Sequence, residues 1–548
     1  MSSKKRKKKS GDDCFEKCKA KRRRANNWSY QDFDYVTIAK RAENTRGLSE
    51  RLDRALDLTG YSPEIVKMRR DFQHCQDQKM NTQNSEFEIL TVGSKGDGVS
   101  CLSESDTDLL MVAKKMIACF PDKRKYYFGQ TRCVLLYRDN CQPGYLKVKR
   151  PRWNVSKDKD LLNADGCISS RKTKYLLYYI LSMFNEEGAT TEGVSGPAVT
   201  MNIFDSAIDF VLGFPHTNAR ILLTKWNQRH RKYEWPDKIL RKKVMENHVC
   251  ILPVGWKDRF RNETDAWHFS FVKGEKELFR SLKPAEYKLY VLLKRFNTQY
   301  LKPLCDSVSS YMMKNIVFWL VEVTPRGSIN NGTLLEYFLE ALTILRKHIL
   351  DGSLKHFMNE DRNLMLNKWS SKMATVLITK IDFQKMPSIV FNLSKIGPAL
   401  KSIESLPRRQ IELIMRQRQR IEYLAFQVAT EREPILEQRS FQAMLASIID
   451  DHQIRQMMYS MFRTCWPEWL AYVEGVYDED ITSDVAESKA LQEKRFPPKM
   501  LKDLSEVLVG HIIKDHCLSG DLLHDEHVKQ RVLDVSDVLY IRMDRLST

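Results

Sequence analysis

Two aspartates two residues apart, Asp106 and Asp108, stand at the head of the apolar run Leu109 to Val112. Ahead of them a Gly-Ser pair, Gly93 and Ser94, follows another apolar run, Phe87 to Val92. If the later run is a strand, residues two apart point to one face. Both carboxylates then sit side by side at the edge of a hydrophobic sheet. Two like charges are costly there unless a cation neutralises them. Hard divalent ions such as Mg2+ prefer oxygen ligands of this kind. The glycine lets backbone N–H groups come close to a phosphate. Strand, Gly-Ser, short loop, Asp-x-Asp and strand together predict a site for a metal-bound triphosphate.

Asp-x-Asp alone is less specific. Most copies are solvated turns, and glycosyltransferases use one to hold a metal on a nucleotide sugar. A second strand narrows the choice. Ser206 to Phe214 reads as buried, with Asp209 between Ile208 and Phe210. Two-metal phosphoryl transfer draws its carboxylates from more than one strand. Asp205 has the same parity as Asp209 and competes with it, but lies nearer the strand's entry.

The elements that must position these residues are readable in outline. Leu48 to Leu58 is helical and stops at Gly60, and Ser62 with Pro63 starts a helix to about Gln78. Val134 to Tyr137 and Leu146 to Val148 are short strands, and Thr173 to Phe184 is an aromatic-rich helix. Val249 to Val254 and Trp267 to Val272 read as strands, the second turning into a helix. Helices follow at Pro284 to Tyr300, Ser309 to Val323 and Leu334 to Leu350. Polar helical pattern then runs from Arg408 to Glu433, with more at Lys499 to Cys517 and Glu526 to Leu546. The expected fold class is α+β: a palm of mixed β-sheet, a helical lobe and a helical C-terminal extension. The expected divisions are a disordered basic tail (1–27), N-terminal helices and palm (28–255), a helical lobe completing the cleft (256–370) and the extension (371–548).

Charge points to the partner. The net charge is +19 at pH 7, a field that attracts polyanions. Lys4 to Lys9 and Lys21 to Arg24 concentrate the excess, as a phosphate-gripping arm, a nuclear address or a solvated tail. No run of 18 apolar residues is present and no apolar segment backs the basic N-terminus, so neither a membrane span nor a secretory signal is expected. The 12 cysteines are scattered, which suits reduced, buried thiols in cytoplasm or nucleus.

Three further segments carry polar residues into the helical lobe. They are Trp267 to Phe279, Lys288 to Phe296, and Val308 to Glu322, which opens with Ser309, Ser310 and Tyr311. A helix start with free N–H groups and hydroxyls can hold phosphate, and a tyrosine ring can stack on a base. At this point the chain resembles the nucleotidyltransferase palm of polymerase-beta-like enzymes. More closely it resembles the cyclic GMP-AMP synthase-like receptors of the male-abnormal (Mab) family, over roughly residues 48 to 370. Ser-Ser-Tyr followed by Lys314 and a Trp-containing apolar helix carries that likeness, with the Gly-Ser and Asp-x-Asp strand.

The resemblance implies roles. Gly93 and Ser94 would bind triphosphate, and Asp106, Asp108 and Asp209 would be catalytic and carry two Mg2+ or Mn2+ ions. Ser310 and Lys294 would contact phosphates, Tyr311 would stack on a nucleobase, and Ser270 and Glu275 would lie near the base and acceptor. The family often has arginine after the tryptophan of the Ser-Phe strand, and this chain has His268. No adjacent cysteine pair occurs, so no zinc thumb is expected. Relatives without zinc are associated with double-stranded RNA, which the basic charge suits, with DNA the other choice. The implied function is a nucleotidyltransferase that senses duplex nucleic acid and joins two nucleoside triphosphates into a cyclic dinucleotide for a STING-type receptor. A duplex would order the loop Lys95 to Ser105. The alternative is an inactive member acting as a nucleotide- or protein-binding scaffold. A template-independent RNA nucleotidyltransferase is a third class.

Overall fold

The computed structural model describes residues 34–419, except 101–106, 123–131, 139–140, 150–160, 184, 186–188, 204–205, 217–218, 258–261, 264, 382–385, 406, 410, 413–414 and 417–418. Asp106, Asp205, the basic tail and the helices expected beyond residue 419 lie outside the described residues. Helix α1 (Tyr35–Leu56) starts earlier than its apolar periodicity suggests. Asp34 caps it, accepting from the backbone N–H of Val36 and Thr37 at 3.1 and 3.2 Å. A π-helical turn, Asp57–Tyr61, ends the run where Gly60 takes φ 95°. Helix α2 (Pro63–Gln83) has the expected Ser62 cap and Pro63 start but extends past Gln78. Its last turn is useful: Asn81 exchanges two 2.7 Å hydrogen bonds with the backbone of Ile89 on the neighbouring strand.

The strands are β1 (Phe87–Val92), β2 (Thr107–Ala113), β3 (Met116–Cys119), β4 (Arg132–Tyr137), β5 (Tyr145–Lys149), β6 (Ala189–Ser195), β7 (Ala198–Ile203), β8 (Ser206–His216), β9 (Val249–Leu252) and β10 (Trp267–Ser270). Among the described residues these ten form one mixed sheet, in the order β1-β2-β8-β9-β10-β5-β4-β3, with the β6–β7 hairpin joined to β8. β2 runs parallel to β8 and antiparallel to β1. β1 is an edge strand, and polar groups of α2 cover its free backbone: Asp77 accepts from Thr91 N at 2.8 Å, as Asn81 does from Ile89. The strand expected to reach Val272 ends at Ser270, because Val272 already begins the next helix.

Helices α3 (Ser170–Ser182), α4 (Ala219–Gln228) and α5 (Lys238–Glu246) lie between strands. The helical lobe holds α6 (Val272–Arg280), α7 (Pro284–Phe296), α8 (Ser310–Val323) and α9 (Leu334–Asp351), followed by α10 (Ser371–Thr379), α11 (Met386–Asn392) and α12 (Ile396–Ser405). α8 is buried at every position from Met312 to Glu322, which its apolar run demands. No helix among the described residues is long and apolar enough to cross a membrane. The protein is thus a mixed α+β structure, with a central sheet and many helices.

One buried ion cluster ties α7 to α1. Lys288, with a side chain 2% exposed, reaches Asp53 at 2.8 Å and Asp57 at 2.6 Å. Burial pushes the Asp57 carboxyl up to about 6, against the opposing pull of Lys288. A raised carboxyl binds its proton more tightly in the folded chain than in the unfolded one. Stability therefore falls as pH rises between about 4 and 6, by up to about 3 kcal/mol. Asp57→Asn, which leaves Asp53 on Lys288, is expected to flatten that fall. Urea unfolding at pH 4 and pH 7 measures it, and an equal slope in wild type and variant would refute it.

Candidate active site

Strand register places the acids. Asp108 on β2 lies directly opposite Asp209 on the parallel strand β8. Partners across a ladder share a face, so both carboxylates project from one side of the sheet. The same parity carries along β8 to Pro215, which pairs with Cys250, which in turn pairs with Ser270. His268 pairs with Tyr145 and has the parity of Ser270. Asp108, Asp209, Ser270, His268 and Tyr145 thus stand on one face. Their apolar companions there, Leu110, Val112, Val211, Cys250 and Leu252, form a small cluster of their own. The alternate residues Leu109, Ile208, Leu212, Phe214, Ile251 and Trp267 join the main core on the opposite side.

The Gly-Ser turn closes on the acids. Gly93 begins a one-turn helix, Gly93–Gly96, and takes φ 63°. A Cβ on Gly93 would come within 2.0 Å of Asp108 Oδ2, so only glycine lets the carboxylate lie against this backbone. Thr200 on β7 donates its hydroxyl to Asp209 Oδ1 at 2.6 Å and orients it. Two partly exposed carboxylates side by side, one aligned by a hydroxyl, suit a hard divalent ion. Asp106, the third acid of the expected set, lies outside the described residues. Among the described residues no group of three His, Cys, Asp or Glu side chains converges as a metal site.

The residues expected to touch phosphate come together. Lys294 Nζ donates to Ser94 Oγ at 2.7 Å. Burial raises the Tyr290 hydroxyl, and the nearby Ser94 and Ser310 hydroxyls pull against that rise, so Tyr290 stands near both the turn and the start of α8. Ser310 is the first residue of α8, and Ser309 occupies the cap position. Lys314, one turn on, pairs with Asp97 Oδ2 at 2.6 Å, with side chains 11% and 3% exposed. Burial works against the Lys314 charge, but Asp97, Tyr290 and Glu275 outweigh it and hold the ammonium above its ordinary range.

Tyr311 and Glu275 belong to a second buried cluster, with His356. Ser270 is buried at the end of β10. Tyr311 donates its hydroxyl to Glu275 Oε1 at 2.5 Å and meets His356 Nε2 at 2.7 Å. His356 Nδ1 accepts from the backbone N–H of Met358 and Asn359, both at 3.0 Å. The proton of a neutral ring is therefore on Nε2, giving a relay from His356 through Tyr311 to Glu275. Burial, with Arg362 adding to it, lowers His356 against the pull of Glu275 and keeps it neutral. Burial alone would raise Glu275; hydrogen bonding from His356, the charge of Lys314 and the Tyr311 hydroxyl hold it below the usual range. Tyr311→Phe leaves this buried carboxylate without its shortest donor. A loss of about 1–3 kcal/mol is expected in urea unfolding at pH 7, and an unchanged midpoint would contradict the relay.

His268 is buried, and its Nε2 accepts from an Arg362 guanidinium N–H. Burial, together with Arg362 and His356, depresses it well below the ordinary histidine range. Sequence reasoning passed over Asp97, Tyr290, Thr200, His356 and Arg362. Only Asp97 left a trace, as a charge between Gly96 and Gly98. His356 and Arg362 come from the irregular segment after α9, where no periodicity marks a side chain's direction.

Residues 285–383 match the family model described as the Mab-21 protein HhH/H2TH-like domain. That family includes nucleotidyltransferases like the cyclic GMP-AMP synthase. The matched stretch holds Lys294, Ser310, Tyr311, Lys314, His356 and Arg362, while the acids lie outside it. No curated protein matches the chain.

Proposed function

We propose that this protein is a nucleotidyltransferase that joins nucleoside triphosphates into a cyclic dinucleotide when duplex nucleic acid, RNA in preference to DNA, binds its basic surface. The observation that carries the reading is the in-register pair Asp108 and Asp209 beside the Gly93 turn. The Mab-21 match over the helical lobe supports it independently. Asp108 and Asp209, with Asp106, would hold Mg2+ or Mn2+. When bound, such ions neutralise triphosphate charge and lower the pKa of an attacking hydroxyl.

The chain's own groups do the rest. Ser94 and the backbone of the Gly93 turn receive phosphate oxygens, and Lys294 adds a positive charge at Ser94. Ser310, near Tyr290 at the start of α8, adds a hydroxyl. Asp209, aligned by Thr200, faces the acceptor hydroxyl and draws its proton. Lys314 locks Asp97, so the turn after Gly93 keeps its shape. The net charge of +19 supports a polyanionic activator. The product would pass to a STING-type receptor.

The test uses the full chain with labelled ATP, GTP, CTP and UTP, Mg2+ or Mn2+, and duplex RNA or DNA. A phosphatase-resistant product that needs a duplex is expected. It should vanish in the Asp106→Ala, Asp108→Ala double variant. Triphosphate binding with no product under any condition would replace the enzyme reading with a nucleotide-binding scaffold.

A further inference from the structure

Arg362 is placed where a guanidinium has little structural reason to be. It lies on the segment closed by the Lys355 and Asn363 bridge, and its stem crosses the turn before β5. Gly144 makes the crossing possible. Its φ is 89°, and a Cβ there would meet Arg362 Cδ at 3.0 Å. The guanidinium then lies 5.8 Å from the centre of the Tyr145 ring and donates one N–H to His268. His268 and Tyr145 are themselves in ring contact at 5.6 Å.

No carboxylate pairs with Arg362 among the described residues. Its two acidic chain neighbours are engaged elsewhere, Glu360 with Arg229 at 3.0 Å and Asp361 with Lys225 at 2.7 Å. His268 cannot satisfy the fork, because a neutral imidazole offers one lone pair and the guanidinium carries five N–H donors. A partly exposed arginine braced by aromatic rings, with no counter-ion among the described residues, is arranged to hold something that is not protein.

Register separates that something from the phosphates. Phe214 pairs with Ile251 and His268 with Leu252, so His268 lies level with Gly213. That is four residues along β8 from Asp209 and two strands across, on the order of 16 Å between Cα atoms. One phosphate cannot touch both places. A nucleotide with its triphosphate at Asp108, Asp209 and Ser94 has its base as the group that points away from them. The aromatic walls, Tyr145 and His268, suit a flat ring better than a phosphate.

We propose that Arg362 is the specificity-determining residue of this cleft and that it selects guanine. An arginine fork matches the adjacent O6 and N7 acceptors of guanine, whereas adenine presents a donor in place of O6. The proposal rests on the triphosphate reading above. His268 is then a positioning residue: its Nε2 accepts one N–H and holds the guanidinium in place.

The test is calorimetric binding of the α,β-methylene analogues of GTP, ATP, CTP and UTP, with Mg2+, to the full chain. Wild type is expected to bind the guanosine analogue roughly tenfold to a hundredfold more tightly than the adenosine analogue. Arg362→Gln should erase that ratio and leave adenosine affinity within about threefold of wild type. Arg362→Lys guards against misfolding: it keeps the charge and the stem, loses the fork, and should erase the ratio with an unchanged melting temperature. Equal weakening of all four analogues would overturn the proposal, since a phosphate contact behaves that way. So would wild-type binding without a guanine preference, which leaves the triphosphate reading standing. If wild type binds none of the four, both readings fall together.

Discussion

Asp108→Asn and Asp209→Asn are each expected to cut nucleotidyl transfer by more than about a hundredfold, the upper end of what loss of an outer-shell metal partner costs. The fold should survive. The two carboxylates lie opposite each other on adjacent parallel strands, so they repel in the protein without an ion. Replacing one with asparagine keeps its shape and removes that charge–charge repulsion. Thermal unfolding without divalent ions should therefore show a melting temperature equal to or above that of wild type. Loss of activity with retained or improved stability is the signature of residues kept for chemistry. A variant that loses both has been misread as functional when it is structural.

The second large effect is on stability. Lys314 and Asp97 form an ion pair at 2.6 Å with side chains 11% and 3% exposed. Removing one partner leaves the other charge buried and unpaired, which costs about 3–5 kcal/mol. Lys314→Met and Asp97→Asn should each show that loss in urea unfolding. The double variant Lys314→Met, Asp97→Leu should recover much of it, because no orphaned charge is left. Function should not recover with it. Asp97 accepts the only charge that α8 sends into the turn after Gly93 among the described residues, so triphosphate affinity should stay low in the double variant. Additive losses would mean that the two groups do not depend on each other.

The acid face was legible because it needs only local rules. Apolar runs mark β1 and β2, and an aspartate at the head of such a run has one direction to point. Glycine next to serine after a strand is likewise a local signal, and the left-handed Gly93 gives its reason. Lys294, Ser94 and Ser310 could be named from the resemblance, but not that Tyr290 lies near both Ser94 and Ser310. That proximity joins elements about two hundred residues apart and has no periodic trace. The β6–β7 hairpin was missed for a related reason. Its first strand, ATTEGVS, has no apolar alternation, and its place is set by pairing with β7. The start of α1 was missed because Asp34 caps a stretch with few apolar residues. Arg362 and His356 were hidden more deeply. Their positions depend on a bridge, a glycine and a ring contact that exist only after the chain has folded.

The central claim is that Asp108 and Asp209 hold a divalent ion against a triphosphate seated at Ser94 and Lys294. Binding of an α,β-methylene nucleoside triphosphate, titrated with and without Mn2+, tests this most directly. Wild type should bind at least about tenfold more tightly with Mn2+ than without it, and Asp209→Asn should lose that dependence. Affinity that is indifferent to Mn2+ in wild type, or unchanged in Asp209→Asn, would contradict the account.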